Sequence, residues 1–508
     1  MRLAVDGDAT ELDNFFYKHI TTLFLMKKIL LLLFVACMVA CGHKAEPTVT
    51  LESEADIAGK RVGYTSGTIY ELMFSPRTDI EKFSFNMQSD AIEALVKGQV
   101  DVVLDDDCNI PKDEQRRLGV RLALHGEKSF ECAFAMHKDS KALCEGLSLF
   151  IDSLRSTGEL QSIYNRWFES DVPGEVRMPD FGPKPLGEPL RAAMGTTMPP
   201  VSFPIGSEGC GFEPEILTRY AYSVGRPIEI LFLPTGSAIA ALQSKKVDFL
   251  GGAIFITEER QKTMLFSASH FSAHPGYFVK DASMQANVSF GDRMKNAVKN
   301  NLVVEDRWRY ITDGLWETVK ISIFAILLGT VFGFGICWMR MSRRKWLSVT
   351  AKVYIDLMRG IPMLVLLMIM FYVVLAKVGV GATTVAVVAF ALNFAAYVSE
   401  MFRTAIGAVS KGQTEAGLAL GFTRWQTFIH IVAPQALRNV MPVYKGEAIS
   451  LVKNTSIVGY IAIQDLTRAS DMIRTRTFNA FFPLLLVTII YFIIAWVLGK
   501  LLDLAIKK

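Results

Sequence analysis

Hydrophobic residues are distributed differently in the two halves of this 508-residue chain. Between residues 50 and 281, short apolar runs at 61–64, 100–104 and 228–233 alternate with helix-like segments, a pattern typical of an α/β fold. After residue 314 the apolar runs are long enough for membrane helices. The pattern therefore predicts an α/β domain followed by an all-α membrane domain.

Five transmembrane helices are predicted in the second half. They lie at 316–339, 354–375, 383–402, a weaker one within 448–463, and 482–502. Each approaches the roughly 20 residues that a helix needs to cross a bilayer, or falls short of it if partly re-entrant. A basic cluster follows the first span, at Arg340, Arg343, Arg344 and Lys345. Because such clusters mark the cytoplasmic side, we expect the α/β domain outside and segment 415–434 inside.

The α/β region contains an internal repeat. Ala-Ile-Glu-Ala-Leu at 91–95 is followed four residues later by Val-Asp, and Ala-Ile-Ala-Ala-Leu at 238–242 is followed by Val-Asp at the same spacing. A linker rich in Pro and Gly separates the two copies, which predicts two similar lobes. The predicted divisions are lobes at 50–171 and 188–281, a linker at 172–187, a juxtamembrane linker at 282–313 and a membrane domain at 314–508.

The extreme N-terminus resembles an export signal. Met26-Lys27-Lys28 precedes an apolar run of twelve residues at 29–40, which is too short to span a bilayer but suits a secretory signal. The run ends in a sequence that resembles a bacterial lipobox, which implies lipidation of Cys41. Met26 is then the expected start, and residues 1–25 an over-extended gene start. An uncleaved signal anchor is the alternative.

Composition adds little specific chemistry. The net charge of +4 is small and gives no reason to expect nucleic acid binding. The seven cysteines form neither a CxxC pair nor a zinc-like spacing. No metal and no cofactor is therefore predicted.

The two lobes resemble the amino-acid-binding family of periplasmic solute-binding proteins. In the second lobe the matching motifs are Pro199-Pro200, Gly211-Phe212-Glu213 and the segment 256–260, and this part is similar to the family's N-terminal lobe. The first lobe, with motifs at 58–63, 66–68 and 163–168, is similar to its C-terminal lobe. Since the order is reversed, we interpret the region as one circularly permuted clamp. Two truncated tandem modules are the alternative.

This resemblance implies where an amino acid binds. A zwitterion needs a cation or N–H donors for its carboxylate and an anion for its ammonium group. The family's carboxylate-binding arginine corresponds to Arg260, and its ammonium-binding position to Asp106. Gly67 and Thr68 precede a helix-like run whose N–H groups can also reach a carboxylate.

The pocket wall departs from the family pattern. Gly252, Ala253 and Phe255 replace small hydroxyl residues, and Met198 replaces an aromatic residue, so the ligand's side chain stays undetermined. The alternatives are that Arg260 is a solvated helix residue and that the acidic run at 105–107 is an exposed strand end.

Segment 415–434 lies between predicted membrane helices but is amphipathic. It resembles the EAA loop of ABC importer permeases, with matches at Glu415, Ala416, Gly421, Ile431 and Pro434. Gly417 and Ala433 depart from the motif. The resemblance implies a short coupling helix that docks on an ATPase subunit. An ordinary loop between helices is the alternative.

These resemblances together predict the permease subunit of an ATP-driven amino acid importer, fused to its own binding domain. The chain has no G-x-x-x-x-G-K-[S/T] motif, so we expect ATP hydrolysis on a separate chain and no enzyme activity here. The family's permeases pair, which implies a homodimer in the bacterial inner membrane, in contact with lipid. The alternatives are a receptor, which would need a signalling domain, and a ligand-gated channel, which would need a filter such as T-V-G-Y-G.

Overall fold

The computed structural model describes residues 49–507 except 67, 111, 170–175, 196–198, 206–207, 282–294 and 377–379. The predicted signal segment with Cys41 therefore lies outside the described residues, as do Gly67 and Met198. The predicted lipidation and start site consequently stay predictions.

Fourteen strands lie in the described residues of the first half. They are β1 (Arg61–Thr65), β2 (Glu81–Phe85), β3 (Val102–Asp106), β4 (Val120–His125), β5 (Phe130–Cys132), β6 (Ala135–His137), β7 (Leu190–Met194), β8 (Phe203–Ile205), β9 (Glu208–Cys210), β10 (Ile228–Phe232), β11 (Phe249–Gly251), β12 (Met264–Phe266), β13 (Phe271–Ala273) and β14 (Pro275–Lys280). Ten of them build two mixed five-stranded sheets, one in each lobe.

Helices flank these sheets. They are α1 (Ile69–Phe74), α2 (Gln88–Val96), α3 (Lys112–Leu118), α4 (Lys141–Ser156), α5 (Glu159–Phe168), α6 (Phe212–Ser223), α7 (Thr235–Gln243) and α8 (Glu258–Gln261). The repeated sequence unit forms α2 followed by β3 in the first lobe and α7 followed by β11 in the second. The predicted α/β character is confirmed.

The sheets correct the predicted lobe limits. The first sheet has the order β2-β1-β3-β14-β4 and the second β10-β7-β11-β6-β12. Strand β14 thus returns to the first lobe, whereas β6 belongs to the second, where α4 and α5 pack on α6. The lobes therefore do not divide at 172–187. The chain crosses between them twice, through the antiparallel pair β5 and β13, because the antiparallel strands β6 and β14 each complete the other lobe's sheet.

The second half is helical. Its helices are α9 (Trp308–Arg340), α10 (Lys345–Gly360), α11 (Met363–Ile369), α12 (Ala382–Ala408), α13 (Lys411–Ala419), α14 (Arg424–Thr427), α15 (Ala433–Asn454), α16 (Leu466–Thr477) and α17 (Phe481–Lys507). Helix α9 begins before the predicted span and extends into the predicted juxtamembrane linker.

The prediction of five spans is not reproduced. Within the described residues three helices are long and apolar enough to cross a membrane, namely α9, α12 and Phe481–Leu504 of α17. The pair Lys345–Gly360 and Met363–Val374, bent by 107°, makes a fourth if it counts as one span. The remaining candidate, 448–463, falls on the end of α15 and on the 3₁₀ helix Thr455–Ile461. Helix α15 carries Arg438, Lys445, Glu447 and Lys453 and ends at Asn454. Its charges make it too polar to meet the same criterion.

Candidate functional site

Arg260 is held in place by two local hydrogen bonds. It lies in the short helix α8, where its backbone N–H donates to the Thr257 hydroxyl at 3.2 Å. Its Nη1 donates to the carbonyl oxygen of Phe255 at 3.2 Å. Burial lowers the pKa of the guanidinium. These contacts do not fit a freely solvated side chain, which was the alternative interpretation.

The loop before Arg260 is built around a buried carboxylate. Glu213 accepts from the backbone N–H groups of Gly252 at 2.5 Å and Ala253 at 3.0 Å. Gly252 has φ = +94°, a conformation that favours glycine. Because its N–H group already donates to Glu213, Gly252 can line the predicted pocket but cannot offer this N–H group to a ligand.

The acidic run at the end of β3 is not an exposed strand end. Asp106 is 3% exposed, and its carboxylate accepts a hydrogen bond from the Tyr70 hydroxyl. Asp105 is also buried and accepts from Asn109 Nδ2 at 2.6 Å. Burial raises the pKa of both carboxyl groups, and the charge of Asp105 raises that of Asp106 further. The pair therefore retains a proton at pH values where exposed carboxyl groups are ionised.

Cys132 on hinge strand β5 lies near both predicted binding residues. It bridges Phe255 of the second lobe through the backbone. Burial and then the charge of Asp106 raise the pKa of its thiol, and this thiol in turn acts on the pKa of Arg260. Asp106 pairs with Pro275 at the start of β14, directly after hinge strand β13, and Arg260 donates to Phe255, which bridges Cys132 of β5. Both predicted binding residues are therefore attached to the hinge.

Thr68 stands at the N-cap of α1 in the first lobe. Its hydroxyl donates to the Thr65 carbonyl at 2.6 Å, so the hydroxyl proton is already used in a hydrogen bond at the end of β1. Only the N–H groups at the start of α1 are left for a carboxylate. The contribution of Gly67, which lies outside the described residues, stays a prediction.

His270 of the hinge region was not anticipated from the sequence. His270 Nε2 lies 3.0 Å from Glu213 Oε1, and both side chains are completely buried. The His270 ring stacks on Phe134 at a centroid distance of 4.3 Å. The Gly-Phe-Glu motif pointed to Glu213, but no local pattern marked His270 as its partner.

Segment 415–434 forms two short helices joined by a turn. Glu415 and Ala416 are exposed on α13, and Gly421 follows with φ = +87° and open space around its Cα atom. A capping box formed by Thr423 and Gln426 then starts α14. Ile431 lies in the π-helical stretch Phe428–Val432, and Pro434 in the first turn of α15.

Large apolar side chains are exposed on this segment. Leu420 is 77% exposed and Trp425 is 68% exposed. Apolar side chains this accessible on a polar loop are typical of a protein interface. The arrangement agrees with a docking surface better than with an ordinary loop.

The family model matches the second half of the chain. Residues 325–508 match the family model described as "Binding-protein-dependent transport system inner membrane component". The "Probable amino-acid ABC transporter permease protein YckA" of Bacillus subtilis (strain 168) is 34% identical over 211 residues, which cover 41% of this chain and 93% of that protein. The chain belongs to this permease family. The predicted resemblance to ABC importer permeases is thereby confirmed.

Two further proteins are similar to this chain. The "Putative glutamine transport system permease protein GlnP" of Rickettsia felis is 31% identical over 201 residues, covering 39% of this permease and 92% of the relative. A solved structure described as "Crystal structure of an amino acid ABC transporter with histidines" is 33% identical to this chain. The match covers 44% of this chain and 99% of the solved chain, with a TM-score of 0.38. Family membership and the apolar helices identify an integral membrane protein.

Proposed function

We propose that this permease is the membrane subunit of an ATP-driven amino acid importer and carries its own solute-binding domain. Several relatives are named as amino acid, glutamine, cystine or octopine transport permeases. The observation that carries the proposal is the combination of this permease domain with a two-lobe α/β domain whose hinge holds Arg260 and Asp106.

The α/β domain is one circularly permuted clamp. The double crossing through β5 and β13 supports one clamp over two tandem modules, since neither sheet is built from one continuous segment. The reversed order of the lobe motifs along the chain supports the permutation. Arg260 of the second lobe binds the ligand's carboxylate, and Asp106 of the first lobe binds its ammonium group. Ligand binding therefore favours closure of the lobes.

Both lobes of the clamp also contact the membrane domain. Arg474 of α16 forms an ion pair with Asp90 of the first lobe, and Arg468 Nη2 donates to the Phe232 carbonyl of the second lobe at 3.1 Å. Because α16 bonds to both lobes, a change in their separation acts on the permease directly.

The remaining parts follow from the family. A separate ATPase docks on segment 415–434, and two copies of the chain form the path. The clamp lies on the periplasmic side of the inner membrane, tethered at a high effective concentration, and Cys41 carries the lipid.

Uptake into vesicles tests this function. The chain and its ATPase are reconstituted into liposomes, and uptake of ¹⁴C-labelled amino acids is measured with and without ATP. We expect uptake only when ATP and the ATPase are present. Uptake that needs neither would refute the importer and favour the channel alternative.

A further inference from the structure

Glu213 is a buried carboxylate that accepts hydrogen bonds from two other parts of the clamp. It lies in the first turn of α6, and its side chain is completely buried. The backbone N–H groups of Gly252 and Ala253 donate to it at 2.5 and 3.0 Å, and His270 Nε2 lies 3.0 Å from its Oε1. Because a carboxylate only accepts hydrogen bonds, Nε2 of His270 carries the proton and is a third donor. Glu213 therefore joins α6 to two separate segments.

The first of these segments has a backbone conformation that needs support. Gly252 has φ = +94°, and the next residue, Ala253, has φ = +54°. Residues other than glycine rarely adopt this left-handed conformation, and they keep it only where surrounding contacts determine it. Successive backbone N–H groups in a turn can form a concave site for an anion. The Glu213 carboxylate occupies this site and so stabilises the conformation of both residues.

The same segment leads directly to Arg260. Two backbone hydrogen bonds of 3.1 and 3.0 Å join residues 254 and 256 to the chain around hinge strand β5. Phe255, which lies between them, accepts from Arg260 Nη1 at 3.2 Å. The orientation of the guanidinium group therefore depends on where the segment places the Phe255 carbonyl group.

His270 connects the Glu213 carboxylate to the hinge. It directly precedes β13, and its backbone N–H donates to the Cys132 carbonyl of β5 at 3.0 Å. Its ring is completely buried and stacks on Phe134. Strands β5 and β13 are the two crossings between the lobes. One carboxylate thus links the hinge to the segment that precedes Arg260.

We propose that Glu213 and His270 are positioning residues for ligand binding. Glu213 holds the segment 252–255, and His270 links Glu213 to the hinge, so that Arg260 is oriented towards a carboxylate when the lobes close. Both side chains are completely buried, so they act through Arg260 rather than by contact with the amino acid. The inference rests on the proposed function, because it takes Arg260 as the carboxylate-binding residue.

Calorimetry of the full-length chain in lipid nanodiscs tests this role. The twenty proteinogenic L-amino acids are titrated one at a time, and the one that the wild type binds most tightly is the probe. Glu213→Gln keeps the shape of the side chain but places an NH2 group against N–H donors, so at least one buried donor loses its acceptor. We expect affinity for the probe to fall about 10-fold.

A double-mutant cycle with Arg260→Ala separates positioning from a general structural role. The Arg260→Ala variant has no guanidinium group to orient, so adding Glu213→Gln should change its remaining affinity less than about twofold. This affinity is measured at high concentrations of the probe. A purely structural Glu213 would lower affinity by the same factor in both backgrounds, and that result would overturn the proposal.

Glu215→Gln is the matched control. Glu215 lies on the same helix and is equally buried, but it accepts from Trp167 Nε1 and Arg166 Nη1, both at 2.7 Å, and not from the segment before Arg260. This variant should lower the melting temperature and leave affinity for the probe unchanged. An equal loss of affinity in Glu213→Gln and Glu215→Gln would also overturn the proposal.

His270 provides a second test that keeps Glu213 intact, in case Glu213→Gln does not fold. A glutamine amide can donate from near the position of Nε2, so His270→Gln should retain most of the affinity. His270→Leu has no donor and should lower affinity about 10-fold. Wild-type affinity in His270→Leu would overturn the link to the hinge and leave the importer intact. No binding of any amino acid to the wild type would overturn the proposed function as well.

Discussion

Gly417 on α13 lies against Thr427 on α14. A Cβ atom at position 417 would stand 2.6 Å from Thr427 Cγ2 and 2.9 Å from Ile431 Cδ1. Glycine therefore replaces the second alanine of the family motif because the two short helices approach too closely for a side chain. The departure is a packing adaptation of this loop.

Restoring the motif by Gly417→Ala should consequently impair the coupling loop. Overpacking of this kind costs about 1–3 kcal/mol, and we expect ATP-driven uptake to fall severalfold at unchanged ligand affinity. Thr427→Ser removes the clashing methyl group, so the double variant should recover much of the uptake. Failure of Thr427→Ser to improve the alanine variant would contradict the packing explanation.

Trp425 is expected to anchor the ATPase. It is 68% exposed and its ring stacks on Phe428, with 5.9 Å between the ring centroids. It therefore presents a rigid aromatic side chain to a partner. Interface tryptophans often contribute about 2 kcal/mol or more to binding. Trp425→Ala should weaken binding of the ATPase about 30-fold in a pull-down titration. Trp316→Ala, a similarly exposed residue on a membrane helix, is the control and should bind normally.

Gly421 should tolerate some substitutions better than others. Its φ of +87° favours glycine and admits asparagine more readily than branched residues. Gly421→Asp adds a charge on the exposed surface, and we expect ATP hydrolysis that no longer depends on substrate. Gly421→Asn is the matched uncharged variant and should stay coupled. Equal uncoupling by both would show that backbone strain, not charge, is responsible.

Arg260 should determine ligand affinity. Arg260→Ala removes the two-pronged hydrogen bonding of a carboxylate, and we expect affinity for the substrate to fall at least about 100-fold in calorimetry. Lys262→Ala removes an exposed cation two residues away and should change affinity little. Unchanged affinity in Arg260→Ala would refute the assignment.

Asp106 should make ligand binding depend on pH. Its carboxyl group has a raised pKa and must ionise to pair with an ammonium group, so affinity should rise between about pH 5 and about pH 9. The folding stability of the ligand-free protein should change with pH in the opposite direction. The folded state binds more protons than the unfolded state across this window, and stability falls as pH rises. Asp106→Asn should flatten both curves, because asparagine can still accept from Tyr70 but does not titrate.

The predicted coupling loop and most membrane helices could be recognised from local sequence alone. A motif such as Glu415 to Pro434 and an apolar run of about 20 residues are properties of consecutive residues, so they can be recognised without a structure. The candidate span at 448–463 failed because α15 ends within it, at Asn454, and is too charged to count as a span by composition alone.

Only the tertiary structure shows which residues far apart along the chain are in contact. The sequence by itself determined the α/β and membrane halves, the repeated helix–strand unit and the candidate residues Arg260 and Asp106. The tertiary structure decided that β6 and β14 cross between lobes, that Glu213 accepts from the Gly252 N–H group, and that Asp90 of the first lobe pairs with Arg474 of α16. These pairs are far apart along the chain, and their contacts arise from sheet pairing and docking of the clamp on α16 rather than from any local pattern.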